Sequence, residues 1–462
     1  METRDGLADF PQKCLFQVQL PIISFVRIDA PARSQAEQRA WYFYDWANSA
    51  FPTAVVTTFL GPYLTAIAKR AAGPDGFVYL GGIPLDARSV WGYTVALSVI
   101  LQVLILPPLG AWADHGGRKK QLLGAAAYLG ASATMLLYFL QGANWQLGVG
   151  LFVVANVAFG AGNVIYNSFL PDIAAPEERD RVSSRGWGIG YLGGGVALAL
   201  NLLLYLKAES FGITEGQAVR ISLLATGVWW AVFTLIPLFR LKNRPAQNRG
   251  RARHGIFSAS FGQLFRTLRD LRRYPQAMVF LIAYLLYNDA IQAVIALSSQ
   301  FGSDELGMPM SSLTSVILMV QFVAFLGAMS FGSIAARIGA KRTILTTLIV
   351  WTGVLGYIYS VQTAKGFFIA AAFVALVMGG SQALSRSLFS QMIPRSREAE
   401  YFGLYEVSDK GTSWLAPLFF GLALQFTKSY RLAILSLITF FILGFLVLLR
   451  VNVNQGKLEA AR

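Results

Sequence analysis

Apolar runs of about 20 residues recur along the whole chain, each long enough to cross a hydrocarbon core about 30 Å thick at a rise of about 1.5 Å per residue. Twelve are predicted, over residues 41–68, 89–112, 121–141, 145–170, 185–206, 218–239, 277–301, 312–336, 342–361, 367–392, 402–427 and 430–450. One long polar interruption separates the sixth run from the seventh. The pattern predicts an all-α polytopic membrane protein of twelve transmembrane helices. Its organisation is an N-terminal extension (1–40), a six-helix bundle (41–240), a basic linker (241–276), a second six-helix bundle (277–451) and a tail (452–462).

The interruption begins with LKNRPAQNRGRARHG, a basic segment containing Pro and Gly. It continues with Phe261, Leu264, Phe265, Leu268 and Leu271 at helical spacing, and Arg266, Arg269, Arg272 and Arg273 on other faces. Such a helix suits an anionic membrane surface, or equally a solvated bridge between two bundles. Near the start, Lys13 precedes the apolar run Cys14 to Val26, but no small-residue cleavage site follows. Residues 1–34 read as a cytoplasmic extension.

Composition agrees with the pattern of runs. Charged residues are 14% of the chain, against about 25% in soluble proteins, so much of the outer surface faces lipid. The net charge of +15 would point to nucleic acid in a soluble protein; in a membrane protein, Lys and Arg collect on cytoplasmic loops. With a cytoplasmic N-terminus, 29 Lys and Arg fall on that side and 8 on the other. Both termini are then expected to be cytoplasmic, and no nucleic-acid partner is needed. A single Cys and two His, His115 and His254, form no metal-binding or thiol-enzyme constellation. No GxxxxGK[ST] motif provides a nucleotide site. The chain is therefore read as neither an enzyme nor a nucleotide-driven pump, with no metal and no cofactor.

The two sets of six runs share local sequence. GAWADHGGRKKQLL from Gly110 follows the second run, and GSIAARIGAKRTIL from Gly332 follows the eighth. Gly110, Ala113, Gly117 and Lys119 match Gly332, Ala335, Gly339 and Lys341. YDWANSAF from Tyr44 pairs loosely with YNDAIQAV from Tyr287. A repeat of this kind implies a pseudo-twofold axis along the membrane normal, with a cavity between the halves.

The GxxADxxGRK pattern of Gly110, Ala113, Asp114, Gly117, Arg118 and Lys119, with its degenerate copy, resembles the cytoplasmic signature of the major facilitator superfamily, and the resemblance covers residues 41–450. Within that superfamily, WYFYDWANSAF (Trp41–Phe51), YLLYNDAIQ (Tyr284–Gln292) and GGSQALSRSLFSQMIP (Gly379–Pro394) resemble the "unknown major facilitator" family, which includes the vacuolar amino-acid effluxers of fungal autophagy. The resemblance implies the major facilitator fold, with spans 1, 4, 7 and 10 lining a central path. It also implies gating by Asp114 against the start of span 11, with Gly110, Gly117, Arg118 and Lys119 at the same end. Glu406 and Asp409 stand at the right end of span 11 to join that gate. The second copy has Ala336 in place of Asp114, so the gate is expected to be asymmetric.

Ionisable groups within spans cost about 2.5–3.5 kcal/mol each at a helix centre on insertion scales, which makes them functional candidates. Helical spacing puts Asp45, Asn48 and Ser49 on one face of span 1, and Asn163 and Asn167 four apart on span 4. Asp289 and Gln292 are three apart on span 7; Gln382 and Arg386 are four apart on span 10. Together they supply acceptors for an ammonium group and donors for a carboxylate. Each has a structural alternative: the amides as interhelical bonds, Asp45 as a bond to backbone or Trp, and Arg386 as a snorkelling side chain or a partner of Glu406 or Asp409. Glycines of span 5 (Gly186, Gly188, Gly190, Gly193, Gly194 and Gly195) and of span 10 (Gly379 and Gly380) allow close helix approach.

The expected function is secondary active transport of a small solute, amino acids or related zwitterions, by alternating access with protons as the second partner through Asp289 or Asp45. The alternatives are an exporter of amphipathic or lipophilic compounds, in view of 33 Phe and 10 Trp, and a non-transporting membrane receptor. A monomer in the lipid bilayer of a bacterial inner membrane is expected.

Overall fold

A computed structural model describes residues 35–87, 90–244, 269–395, 397–410, 415–416, 419–420, 423, 427 and 429–461. The extension before residue 35, the amphipathic segment from Phe261 to Leu268 and much of the expected run 402–427 lie outside the described residues. Among the described residues, eleven helical segments are long and apolar enough to cross a membrane.

The first segment is broken into α1 (Gln35–Asn48), a π-helical stretch (Phe51–Phe59) and α2 (Leu60–Ala71). Pro52 brings no backbone N–H, so the regular i→i−4 ladder cannot run through it. The widened turn is supported by Thr57 and Thr58, whose hydroxyls donate to the carbonyls of Pro52 and Thr53, five residues back (2.9 and 2.8 Å). A hairpin of β1 (Phe77–Leu80) and β2 (Ile83–Asp86) follows, a departure from the all-α expectation. Its two-residue turn is Gly81-Gly82, both at positive φ (58° and 88°), the backbone that matches strand twist and favours Gly.

The remaining helices of the first half are α3 (Val90–Gly116), α4 (Lys119–Leu136), α5 (Trp145–Ser168), the short α6 (Leu170–Ile173), α7 (Arg179–Leu206) and α8 (Glu215–Arg240). Thr214 and Gln217 form a reciprocal capping box that starts α8. The second half contains α9 (Pro275–Asp304), α10 (Met310–Ile338), α11 (Ala340–Ser360), α12 (Ala364–Ser390), α13 (Glu398–Lys410), α14 (Tyr430–Ser436) and α15 (Ile438–Leu449). The expected tail is itself helical, as α16 (Val453–Ala461), with Gly456 against Met392 and Gln276. The repeated motif ends its helix in the same way twice: Gly117 and Gly339 both have positive φ, 58° and 88°. A side chain with a Cβ is strained there.

Buried apolar residues sort into two clusters, one within residues 41–241 joined by Ala399, the other within 271–451. The most extensive helix contacts between the halves are α7 with α10, α3 with α13, α7 with α12 and α5 with α13. At one end of the bundle lie the carboxyl ends of α3, α5, α10 and α12 and the amino ends of α4, α7 and α13. Arg118, Lys119, Arg179, Arg181, Lys341, Arg342 and Arg397 also lie there. This is the basic end.

Candidate functional site

The candidate site forms where α1, α5, α7 and α12 meet, in the basic half of the bundle. Its centre is Arg386 of α12, 2% exposed. The guanidinium makes four polar contacts: Nε donates to Ser183 Oγ (2.8 Å), Nη2 to the Ser183 carbonyl (2.8 Å), and Nη1 to both Asn167 Oδ1 (3.3 Å) and Asp45 Oδ2 (3.4 Å). Its carbon centre also lies 4.8 Å from the Trp41 ring, 5.4 Å from Trp187 and 5.5 Å from Tyr166. Arginine suits this seat because its planar fork can hydrogen-bond at the edge and stack on aromatic faces at once.

Asp45, on α1, completes an ion pair that bridges the halves. Its Oδ2 also accepts from the Tyr166 hydroxyl at 2.6 Å, and Tyr166 stacks on Trp41 with centroids 4.3 Å apart. Trp41 Nε1 donates to the Tyr166 carbonyl (2.9 Å). The carboxylate is thus fixed by the tyrosine, while its contact with Arg386 is longer than the 2.7–2.9 Å typical of a tight charge-assisted bond. A bound group carrying both charges can occupy such a contact without leaving either residue unpaired.

Two faces of α7 build this arrangement. Ser183, Trp187 and Tyr191, four residues apart, meet α12: Ser183 Oγ donates to the Ala383 carbonyl (2.7 Å) and Tyr191 donates to Gln382 Oε1 (2.6 Å). Gly186, Gly190 and Gly193 face α1, and Gly194 faces Ser49 and Thr53 just beyond it. A Cβ on Gly186 would stand 2.6 Å from the Trp41 ring and 2.9 Å from Asp45 Oδ2; one on Gly190 would stand 2.8 Å from Ser49 Oγ. Close approach of the two helices is what brings Asp45 to Arg386.

The other candidates divide into groups. Asn48 donates to Asn163 (2.8 Å), joining spans 1 and 4. Asn167, one turn beyond Asn163, instead bonds to Arg386 and donates to Glu406 Oε1 (3.1 Å). Ser49 is half-buried beside Gly190. Asp289, buried on α9, accepts from the Ala416 amide (2.8 Å) through Oδ2, while Oδ1 has no partner among the described residues. It joins none of the bonds of the Arg386 cluster. Gln292 is half-buried one turn further along α9.

Two expectations are corrected. Arg386 does not snorkel: the rings of Trp41, Tyr166 and Trp187 enclose it, and its donors are satisfied where it stands. Nor does it pair directly with Glu406. Its carboxylate partner is Asp45, and Glu406 reaches the cluster through Asn167 rather than the charges around Asp114.

At the basic end, Asp114 Oδ2 accepts from the Glu400 amide (3.0 Å) at the start of α13. Gly110 lies against the Ala399 backbone, where a Cβ would collide with the carbonyl. Lys119 is within 3.5 Å of Asp114 and Asp172 and 3.8 Å of Glu398. Gly117 makes the turn between α3 and α4, and Arg118 is exposed. The side chain of Asp409 lies outside the described residues. In the second copy, which has no acidic counterpart of Asp114, Lys341 instead donates to the carbonyls of Leu449 and Val451 (2.9 and 2.7 Å) and closes α15.

Sequence reasoning missed Trp41, Tyr166, Ser183, Trp187 and Tyr191 around Arg386. It also missed Arg397, which pairs with Glu400 (2.7 Å) and Asp270 (3.1 Å), and Arg179, which donates to the Ser390 carbonyl. The four-residue spacing from Ser183 to Tyr191 was the available signal. It was hidden by the glycines between them.

Residues 33–461 match the family described as "Vacuole effluxer Atg22 like". The chain is 31% identical over 418 residues to YxiO of Bacillus subtilis (strain 168), an uncharacterized MFS-type transporter, covering 90% of this chain and 95% of that protein. It is 25% identical to autophagy-related protein 22 of Pyricularia oryzae (strain 70-15), covering 94% and 78% respectively. Among solved structures, the major facilitator superfamily transporter FucP in its outward conformation matches with a TM-score of 0.66 at 13% identity, over 90% of this chain and 98% of that one. A bacterial homologue of the iron transporter ferroportin, in its outward-facing state, matches with a TM-score of 0.64 at 14% identity, over 90% and 99%. These two likenesses are of fold. The chain belongs to the Atg22-like vacuole effluxer family and is an integral membrane transporter of the major facilitator type.

Proposed function

We propose that the protein moves small zwitterions, amino acids or close relatives, as a proton-coupled secondary active transporter working by alternating access, as a monomer in a bacterial inner membrane. The distribution of Lys and Arg supports a cytoplasmic basic end, and closure at that end supports an outward-facing form. The observation that carries this reading is the buried Asp45–Arg386 pair across the halves. An α-amino acid offers a carboxylate to Arg386 and an ammonium group to Asp45, replacing one ion pair by two with no change in net buried charge. An uncharged lipophilic compound has no use for the pair, and a simple anion would leave Asp45 uncompensated.

Protons are assigned to Asp289. Its carboxyl is buried and holds a single backbone donor with one oxygen left over, so it can take a proton without breaking the substrate seat. The test is uptake and counterflow of labelled amino acids in proteoliposomes, with and without an inward acid gradient. Wild type should show saturable counterflow and gradient-stimulated uptake. Asp289→Asn should lose the stimulation and keep counterflow; a wild-type gradient response in that variant removes the assignment. Folded, inserted protein with no flux of any amino acid removes the zwitterion reading.

A further inference from the structure

A cavity of about 700 Å³ opens at the basic end, lined by none of the residues of the Arg386 cluster. Its charged lining is Lys341 and Arg342 from the start of α11, Arg450 just after α15, Lys457 from α16 and Asp180 from α7, with Gln391 just past α12 beside Asp180. Four cations thus face one carboxylate. Lys341 already neutralises the carbonyl end of α15 through Leu449 and Val451, removing the negative pole that would repel an anion. No side chain caps the amino-terminal turn of α11, so the positive end of a 21-residue helix also borders the cavity. Ile338, Leu388 and Leu449 supply an apolar wall at the point where spans end.

We propose that this cavity binds a polyol phosphate, presented as the glycerophosphate headgroup of an anionic phospholipid. The phosphate lies against Arg342 and Arg450, which are exposed and available. The neighbouring hydroxyls donate to Asp180, whose carboxylate already accepts from Ser387 (2.6 Å) and Gln391 (3.3 Å). A bare anion would gain nothing from Asp180. A hydroxyl-bearing phosphate uses both charges of the site, and the apolar wall receives the glycerol backbone and the first acyl carbons. Asp180 belongs to the first half and the cations to the second, so the ligand ties the halves together at this end. The proposal does not depend on what is transported.

The test is thermal unfolding of the full-length protein in neutral detergent, followed by tryptophan fluorescence and titrated with dihexanoyl-phosphatidylglycerol, dihexanoyl-phosphatidylcholine and glycerol 3-phosphate. Saturable stabilisation by phosphatidylglycerol but not phosphatidylcholine is expected. Arg342→Gln/Arg450→Gln should weaken the midpoint at least tenfold. Arg240→Gln/Lys242→Gln removes the same charge from exposed residues elsewhere at the basic end and should leave the midpoint unchanged. Response to glycerol 3-phosphate alone, lost in the same cavity variant, upholds the site and identifies a soluble source. Equal effects of the two double variants, equal stabilisation by phosphatidylcholine, or no saturable response overturns the proposal.

Discussion

Arg386 draws its position from two kinds of interaction at once. It donates to Ser183, Asn167 and Asp45 and lies against three aromatic rings. Lysine keeps the charge but has neither the planar face nor donors spread over a fork. Arg386→Lys is therefore expected to fold and insert while amino-acid counterflow falls at least tenfold. Removing one member of a buried ion pair costs roughly 3–5 kcal/mol because the other charge is left uncompensated. Asp45→Asn should thus lower the unfolding temperature more than Asp45→Asn combined with Arg386→Gln. Additive losses in the double variant, measured by thermal unfolding, would mean that the two residues are not energetically coupled.

The glycine face of α7 turns this residue chemistry into a helix–helix distance. Gly190 sits where a Cβ would be 2.8 Å from Ser49 Oγ and 3.1 Å from Asp45 Cβ, whereas a Cβ on Gly188 meets the flexible Met329 and Phe325 at 3.3 Å. Gly190→Val should abolish transport in inserted protein, and Gly188→Ala should retain at least half of the wild-type rate in the same assay. Similar rates in both would disconnect the α1–α7 approach from the site. Helix existence was legible in the sequence because a membrane demands length and apolarity, both local properties. The π-helical stretch was not, since it depends on Pro52 together with the Thr57 and Thr58 hydroxyls. Asp45 and Arg386 could be singled out by the cost of charge in a span, but their pairing joins residues 341 positions apart and needs the fold. Glu406 was read with Asp114 because both lie near one end; helix rotation instead turns it towards Asn167.

Among the described residues, the hydrogen bonds and ion pairs that join the halves lie in the basic half of the bundle. Asp114 holds the start of α13, Asn167 holds Glu406, Arg179 and Asp180 hold the end of α12, and Arg386 binds α1, α5 and α7. For the halves to rock apart at this end, all these bonds must release, so their combined strength biases the molecule towards the closed form. Asp114 is the most informative to vary, because it acts twice: as acceptor for the Glu400 amide and as a charge beside Lys119. Asparagine retains an acceptor and loses the charge; alanine loses both. Ser390 reports on the opening, being 2% exposed beside the Arg179 side chain. With Cys14 replaced by Ser, the only native thiol is gone, and Ser390→Cys can be labelled with a maleimide. Labelling should be slow in the otherwise wild-type protein, faster with Asp114→Asn and at least tenfold faster with Asp114→Ala. The order follows because asparagine gives up one of the two roles of Asp114 and alanine gives up both. An unchanged rate in Asp114→Ala would mean that the closed end is held without this residue.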